Sequence, residues 1–358
     1  MKHVIHKRVS MKDIANELGV SVALVSYVLN GKKTNKINAR TAARIKALAA
    51  KMNYTPNQIA KSLKTNRTNT LGLIVADISN LFYSSIAKYI EEEASAYGYQ
   101  VIYGSAHESH DRFEQLLNVL LARQVDGLIL AIPENAEKSI HELTCINKPF
   151  VVIDRKFKNA PKAPSILLDN YDASQQIVKH MAANGYKRPG LITINRKLCH
   201  LKERKDGFTT TCKELLKKLP FVYELHEEKL EEEMHHIIRR SLYEDKVDSL
   251  CFFTNKIAMA GLSEIAALDV EVPGTLGVVC FDEAEAYKLF KTPVSYLKQP
   301  IETMSKAAVS YLINRIEHPK EKPSITIKEF KGTLVVKESS SKRSLSIVKR
   351  KNQHLVRS

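Results

Sequence analysis

Between residues 71 and 281, short apolar runs alternate with longer amphipathic ones, and this alternation constrains the fold more than any other feature of the chain. The runs 71–76, 99–104, 127–132 and 150–153 have strand length, and helical patterns over 82–97 and 111–123 separate the first three. A second series follows, with strands over 166–168, 190–194, 249–253 and 276–281 and helices over 171–184, 203–218 and 256–268. Strands that are apolar throughout are covered on both faces, which implies parallel sheets flanked by helices. Two such series predict two α/β lobes with a cleft at the carboxyl ends of their strands, the usual ligand position in open sheets.

The first seventy residues follow a different pattern. Ser10 can cap a helix carrying Ile14, Ala15 and Leu18, which Gly19 ends; Ser21 can cap a second, with Val25, Val28 and Leu29 inward; a third, from Asn38, buries Ile45, Leu48, Ala49 and Met52. Two short helices around a Gly-containing turn, with a third in support, describe a helix-turn-helix. The formal net charge of +16 sits mainly here: residues 1–69 hold fourteen Lys and Arg against two Asp and Glu. Residues 337–358 hold seven against one and read as a basic, disordered tail, whereas 70–336 is nearly neutral. A basic module on a neutral body is the footprint of polyanion binding. On the second helix the outward set is Val22, Ala23, Ser26 and Tyr27, and Ser21 and Asn30 at its ends are further DNA-binding candidates. Its apolar members suit thymine methyl groups and its polar ones suit base edges or phosphate. The segment 56–64 reads as a helix too short to persist alone, carrying Leu63 and Lys64. The expected divisions are 10–55, a linker at 56–69, a body at 70–336 and the tail.

The run from Met11 to Gly31 (Met-Lys-Asp-Ile-Ala-Asn-Glu-Leu-Gly-Val-Ser-Val-Ala-Leu-Val-Ser-Tyr-Val-Leu-Asn-Gly) closely resembles the N-terminal signature of the lactose-repressor/galactose-repressor (LacI/GalR) family. So does Met-Asn-Tyr-Thr-Pro-Asn-Gln-Ile-Ala-Lys-Ser-Leu-Lys, ending at Lys64. Val-Asp-Gly-Leu-Ile at 125–129, Val-Ile-Asp-Arg at 152–155, Arg204-x-x-Gly207-Phe208 and Gln299-Pro300 look like further landmarks of the family. The resemblance implies a small all-α helix-turn-helix DNA-binding domain plus an α/β two-lobe, periplasmic-binding-protein-like (type I) effector domain with parallel sheets. It implies that Val22, Ala23 and Tyr27 read a major groove and that Leu63 wedges into the minor groove at the operator centre. It also implies that Asp154, Arg204 and Asp282 hold an effector. Lys256 stands where the family usually carries an acid, Cys280 replaces a glycine, and 220–248 is unusually charged.

Independently of the resemblance, polar residues just past the strand ends (Asp77, with Phe82 and Tyr83 nearby, then Asp154, Asn255 and Asp282) would suit a polyhydroxylated ligand. The expected protein is a DNA-binding regulator, a repressor acting as a homodimer on a palindromic double-stranded operator. It answers to a small effector, a sugar or its derivative, with a purine or other metabolite as the alternative.

A solute-binding protein of the same fold would need a signal peptide, and the N-terminus has positive charge with no apolar region behind it. No G-x-G-x-x-G, G-x-x-x-x-G-K-[ST] or G-x-S-x-G occurs to support an enzyme. Neither a cofactor nor a metal is expected: His107, Glu108, His110 and Asp111 read as a solvated loop, and the adjacent His235 and His236 diverge on a helix. Cysteines 145, 199, 212, 251 and 280 read as reduced thiols, and no apolar run has membrane-spanning length, so a cytoplasmic protein is expected.

Overall fold

The computed structural model describes residues 9–30, 37–55, 67–156, 163–321 and 327–341. Leu63 and Lys64 lie outside them, as does the tail from 342 onward. The chain divides into two compact units, Met1–Thr68 and Asn69–Ser358.

In the first unit α1 (Met11–Leu18), α2 (Val22–Leu29) and α3 (Ala39–Lys51) enclose a core of Ile14, Ala15, Val25, Val28, Ile45 and Ala49. Ser10 and Asp13 form a reciprocal capping box, and Gly19 ends α1 at φ 65°, a conformation that costs glycine nothing. The Ser21 hydroxyl caps α2 by accepting from the Leu24 amide at 3.2 Å.

The second unit holds two six-stranded sheets. The first, in order β11-β5-β4-β3-β1-β2, is parallel throughout. It uses β1 (Thr70–Val75), β2 (Gln100–Ser105), β3 (Gly127–Leu130), β4 (Phe150–Ile153), β5 (Ser165–Leu168) and β11 (Ile327–Phe330). Helices α4 (Leu81–Ala96), α5 (His110–Ala122), α6 (Glu137–Cys145) and the returning α11 (Ile301–Glu317) cover it. The second sheet, β12-β10-β9-β8-β6-β7, uses β6 (Pro189–Ile194), β7 (Phe221–Leu225), β8 (Ser249–Phe252), β9 (Gly277–Phe281), β10 (Ser295–Lys298) and β12 (Thr333–Val335). Only β12 is antiparallel to its neighbour. Its helices are α7 (Asn170–Ala183), α8 (Cys199–Leu216), α9 (Leu230–Arg239) and α10 (Asn255–Ala267). The chain crosses between lobes after β5, β10 and β11.

Two expectations are corrected here. Residues 166–168 do not open the second series. They belong to β5 of the first sheet, paired with β4 and β11, and the chain crosses only after Leu168. Within the charged stretch 220–248 lie an edge strand, β7, whose buried residues alternate with solvated ones, and the helix α9, which buries Met234 and Ile238 one turn apart. The other correction concerns the tail, because ordered packing runs past 336 to Ser341. Ser339 and Ser340 are fully buried, the Ser339 hydroxyl donates to the Val278 carbonyl at 2.7 Å, and the Ser340 hydroxyl donates to Ser295 Oγ at 2.7 Å. His180 Nε2 lies 2.7 Å from Ser340 Oγ, and the Tyr186 hydroxyl donates to the Ser341 carbonyl.

Helices α7 and α8 pack closely, and Gly207 permits it: a Cβ there would meet the Tyr171 backbone oxygen at 2.5 Å. Gly207→Ala is therefore expected to push α8 outward and cost about 1–3 kcal/mol in urea unfolding.

Candidate functional site

Two places gather the functional side chains. On the first unit, Ser21, Val22, Ala23, Tyr27 and Asn30 are exposed along one side of α2 and Ser26 is half-buried. Two large apolar side chains, Val22 and Tyr27, remain in solvent at the start and middle of a helix that buries Val25 and Val28. The Asn30 amide nitrogen donates to the Ser26 carbonyl at 2.7 Å, so this side chain also closes the helix end. Lys12, Arg40 and Arg44 are exposed on the flanking helices.

In the second unit the carboxyl ends of both sheets face one cleft. The two lobes contribute matching corners. Asp154 follows β4 and Asp282 follows β9; both carry left-handed backbone, φ 72° and 65°, and both are buried. Each amide donates to the next strand, Asp154 to the Ile166 carbonyl and Asp282 to the Leu297 carbonyl, both at 3.0 Å. An aspartate in that conformation costs on the order of 1 kcal/mol and persists because neighbouring strands fix it. The Tyr83 hydroxyl donates to Asp154 at 2.7 Å, and Gln299 donates to Asp282 at 2.6 Å.

Between the two acids lies Arg204, fully buried on α8. Its Nε donates to Asn170 Oδ1 at 2.8 Å, its Nη1 to the Phe253 carbonyl at 2.6 Å, and its guanidinium stacks 3.9 Å over Phe281. Burial pushes both aspartates above the usual carboxylate range, opposed by Arg155 and then the Tyr83 hydroxyl at Asp154, and chiefly by Arg204 at Asp282. His200, buried beside Arg204 and Arg155, is held well below its usual value by burial and then by those charges, so its ring is neutral at pH 7.

A charged ladder closes the mouth. Arg155 grips Glu108 through two bonds, 2.7 and 2.6 Å; Arg196 lies 3.9 Å from Glu108 across the cleft; Glu227 takes Arg196 at 2.8 Å and Lys256 at 3.1 Å. Lys156–Glu203 at 2.8 Å and the Lys197 amide to Glu134 at 2.8 Å also join the lobes. The cavity left inside is about 60 Å³, well below the roughly 300–1,000 Å³ common for ligand clefts.

Residues 68–331 match the family model described as "Periplasmic binding proteins and sugar binding domain of LacI family", and residues 10–57 match "Bacterial regulatory proteins, lacI family". The chain belongs to the LacI family. Like other members, this LacI-family chain is a DNA-binding transcription regulator. It is 25% identical to the HTH-type transcriptional repressor PurR of Actinobacillus pleuropneumoniae serotype 3 (strain JL03), over 92% of this chain and 98% of that one. It is 27% identical to the ribose operon repressor of Haemophilus influenzae, with the same two coverages. In fold it is similar to the Lac repressor dimer bound to operator and the anti-inducer ONPF (TM-score 0.80, 21% identity, 94% of this chain, all of that one). No helix among the described residues is long and apolar enough to cross a membrane.

Of the residues expected at the effector site of this LacI-family protein, Phe82, Tyr83, Asp154, Arg204 and Asp282 line the central cavity. Asp77 and Asn255 do not. Asp77 turns back to accept from the Ser79 amide and hydroxyl, at 3.0 and 2.9 Å. Asn255 opens α10 and donates to Asn80 at 2.9 Å, and the two border a neighbouring cavity of about 270 Å³.

The ladder residues Glu108, Arg196 and Glu227 were not anticipated at the site. The strand-end rule, extended to β2 and β6, points to the first two; Glu227 follows β7, whose alternating pattern hides it. His110 opens α5 and lies 3.5 Å from Glu114, while Glu108 is taken by Arg155.

Proposed function

We propose that this protein is an effector-controlled transcriptional repressor that binds a palindromic operator as a homodimer and takes a small, neutral, polyhydroxylated metabolite, a sugar or sugar derivative, in its interlobe cleft. One observation carries the ligand reading: Asp154 and Asp282 reach a single gap from opposite lobes with Arg204 between them. Each carboxylate accepts paired hydroxyl hydrogens and the guanidinium donates to ring or hydroxyl oxygens, so a polyol satisfies both lobes at once. The acids and cations around the gap balance, which favours a neutral ligand over a charged one. The small cavity means the lobes part to admit the ligand. Ligand binding thereby selects among lobe arrangements, and a repressor needs only differential affinity between them.

For the DNA end, Val22, Ala23, Ser26 and Tyr27 would contact base edges in the major groove. Ser21 and Asn30 would sit at the ends of the reading helix, while Leu63 would wedge into the minor groove with Lys64 near phosphate. The test is a gel shift with DNA from upstream of its own locus, run with and without a panel of neutral sugars, sugar derivatives and purines. Loss of a specific shift with one sugar supports the reading. Absence of any sequence-preferring shift would sink the regulator proposal, and a response to purines alone would sink the sugar.

Tyr27→Ala is expected to reduce the preference for the specific site over random DNA by about 1–3 kcal/mol while leaving random-DNA binding nearly unchanged. Equal loss on both would restrict Tyr27 to backbone contact.

A further inference from the structure

A second space in the second lobe lies beside the central cleft. A groove of about 480 Å³ runs between the first two turns of α8 and the β6–β7 edge of the second sheet. Its walls carry Arg196, Lys197, Lys202 and Lys205 against two acids, Asp206 and Glu224, over an apolar floor that includes Leu198 and Leu201. Lys205 is taken by Glu224 at 2.7 Å. Among the described residues, Lys197 and Lys202 have no carboxylate partner.

Two further features favour an anion. Leu198, at the α8 N-cap, offers no side-chain acceptor, and the first turn of this 18-residue helix presents its amide end to the groove through Cys199 and Leu201. Independently, Thr193 is 3% exposed and its hydroxyl has no partner. It stands opposite Glu224 in the parallel β6–β7 register, so its side chain lies on the sheet face where Lys205 meets Glu224. That face forms the groove wall.

We propose that this groove is an accessory binding site, separate from the polyol cleft, for a small phosphate-bearing metabolite. The phosphate sits at the start of α8, between Lys197 and Lys202 and within reach of Arg196, and the organic part lies over Leu198 and Leu201. Occupancy acts on lobe closure, because Arg196 and Lys197 also supply the contacts to Glu108 and Glu134 across the cleft. A phosphate drawing on Arg196 competes with Glu227, which holds the guanidinium at 2.8 Å, and with Glu108 at 3.9 Å.

The full chain is titrated with glycerol 3-phosphate, inorganic phosphate, glycerol and sodium chloride at matched ionic strength, reading the thermal midpoint. A saturable rise with glycerol 3-phosphate, absent with glycerol and chloride, is expected. A rise of equal affinity with inorganic phosphate assigns recognition to the phosphate group itself; a weaker one assigns part of it to the apolar floor. Both exposed lysines changed together, Lys197→Gln with Lys202→Gln, should raise the half-saturation concentration at least about fivefold. Asp206→Asn should lower it, and Asp282→Asn in the cleft should leave it unchanged. Failure to saturate overturns the proposal. So does an effect abolished by Asp282→Asn and retained in the double lysine variant, which would place the anion in the cleft. Neither outcome bears on operator binding or on a neutral sugar.

Discussion

Arg204→Met is expected to abolish the ligand response and to lower the stability of the body by about 2–5 kcal/mol, read by urea unfolding. The side chain is fully buried, and its removal leaves Asn170 Oδ1 and the Phe253 carbonyl without their donor. It also strips the positive charge that opposes the upward push of burial on Asp154 and Asp282. Both acids then rise further.

The sign of the pH dependence follows. A carboxyl whose folded value is raised favours folding when protonated, and that contribution is lost as pH climbs through the folded value. The variant is therefore most handicapped near pH 7, and its deficit relative to the parent should shrink as pH falls toward 5. A deficit constant from pH 7 to pH 5 would mean the acids do not sense Arg204. Operator binding without ligand should survive wherever the variant remains folded, since the helix-turn-helix has its own core.

The second large effect is at the mouth. Glu108→Gln should cost on the order of 3 kcal/mol, because Arg155 is buried and loses the carboxylate it grips with two bonds. Burial alone would raise the Glu108 carboxyl; the Arg155 bonds and charge, then Arg196, bring it below the usual range. A lowered carboxyl stabilises the fold above its unfolded value, roughly pH 4.3, and that stability is lost as pH falls through the folded value. The parent should lose stability along this acid limb and the glutamine variant should lose less. Replacing both partners, Glu108→Leu with Arg155→Met, should cost much less than the two single changes added together, because neither charge is left alone. Additive costs in that double-mutant cycle would mean that the pair contributes no coupling.

Much of this architecture is legible in the residues because fully buried parallel strands are apolar throughout: β1, β3, β4, β8 and β9 declare themselves as unbroken runs. What stays hidden has physical reasons. An apolar quartet such as β5 does not say which sheet it joins, because both sheets offer the same surface. The edge strand β7 lies in the charged stretch 220–248 and is solvated on alternate residues, so it lacks the signal of a fully buried strand. At the site, Asp77 and Asp154 look alike in sequence, each an acid one step beyond a strand. One closes a turn onto Ser79, whereas the other is set in left-handed backbone and aimed inward by Tyr83. Only the chain path around them separates the two. The ladder was hidden for a related reason, since Glu108, Arg196 and Glu227 come from three loops that the sequence keeps far apart.

The serine anchor at 339–341 bears on where this protein can be shortened. Cutting after Val336 would remove the residues that fill fully buried positions beside Ser295 and Val278, and would uncover the starts of β9 and β10. Cutting after Ser341 would keep every one of those bonds. A chain ending at Val336 should therefore melt well below one ending at Ser341.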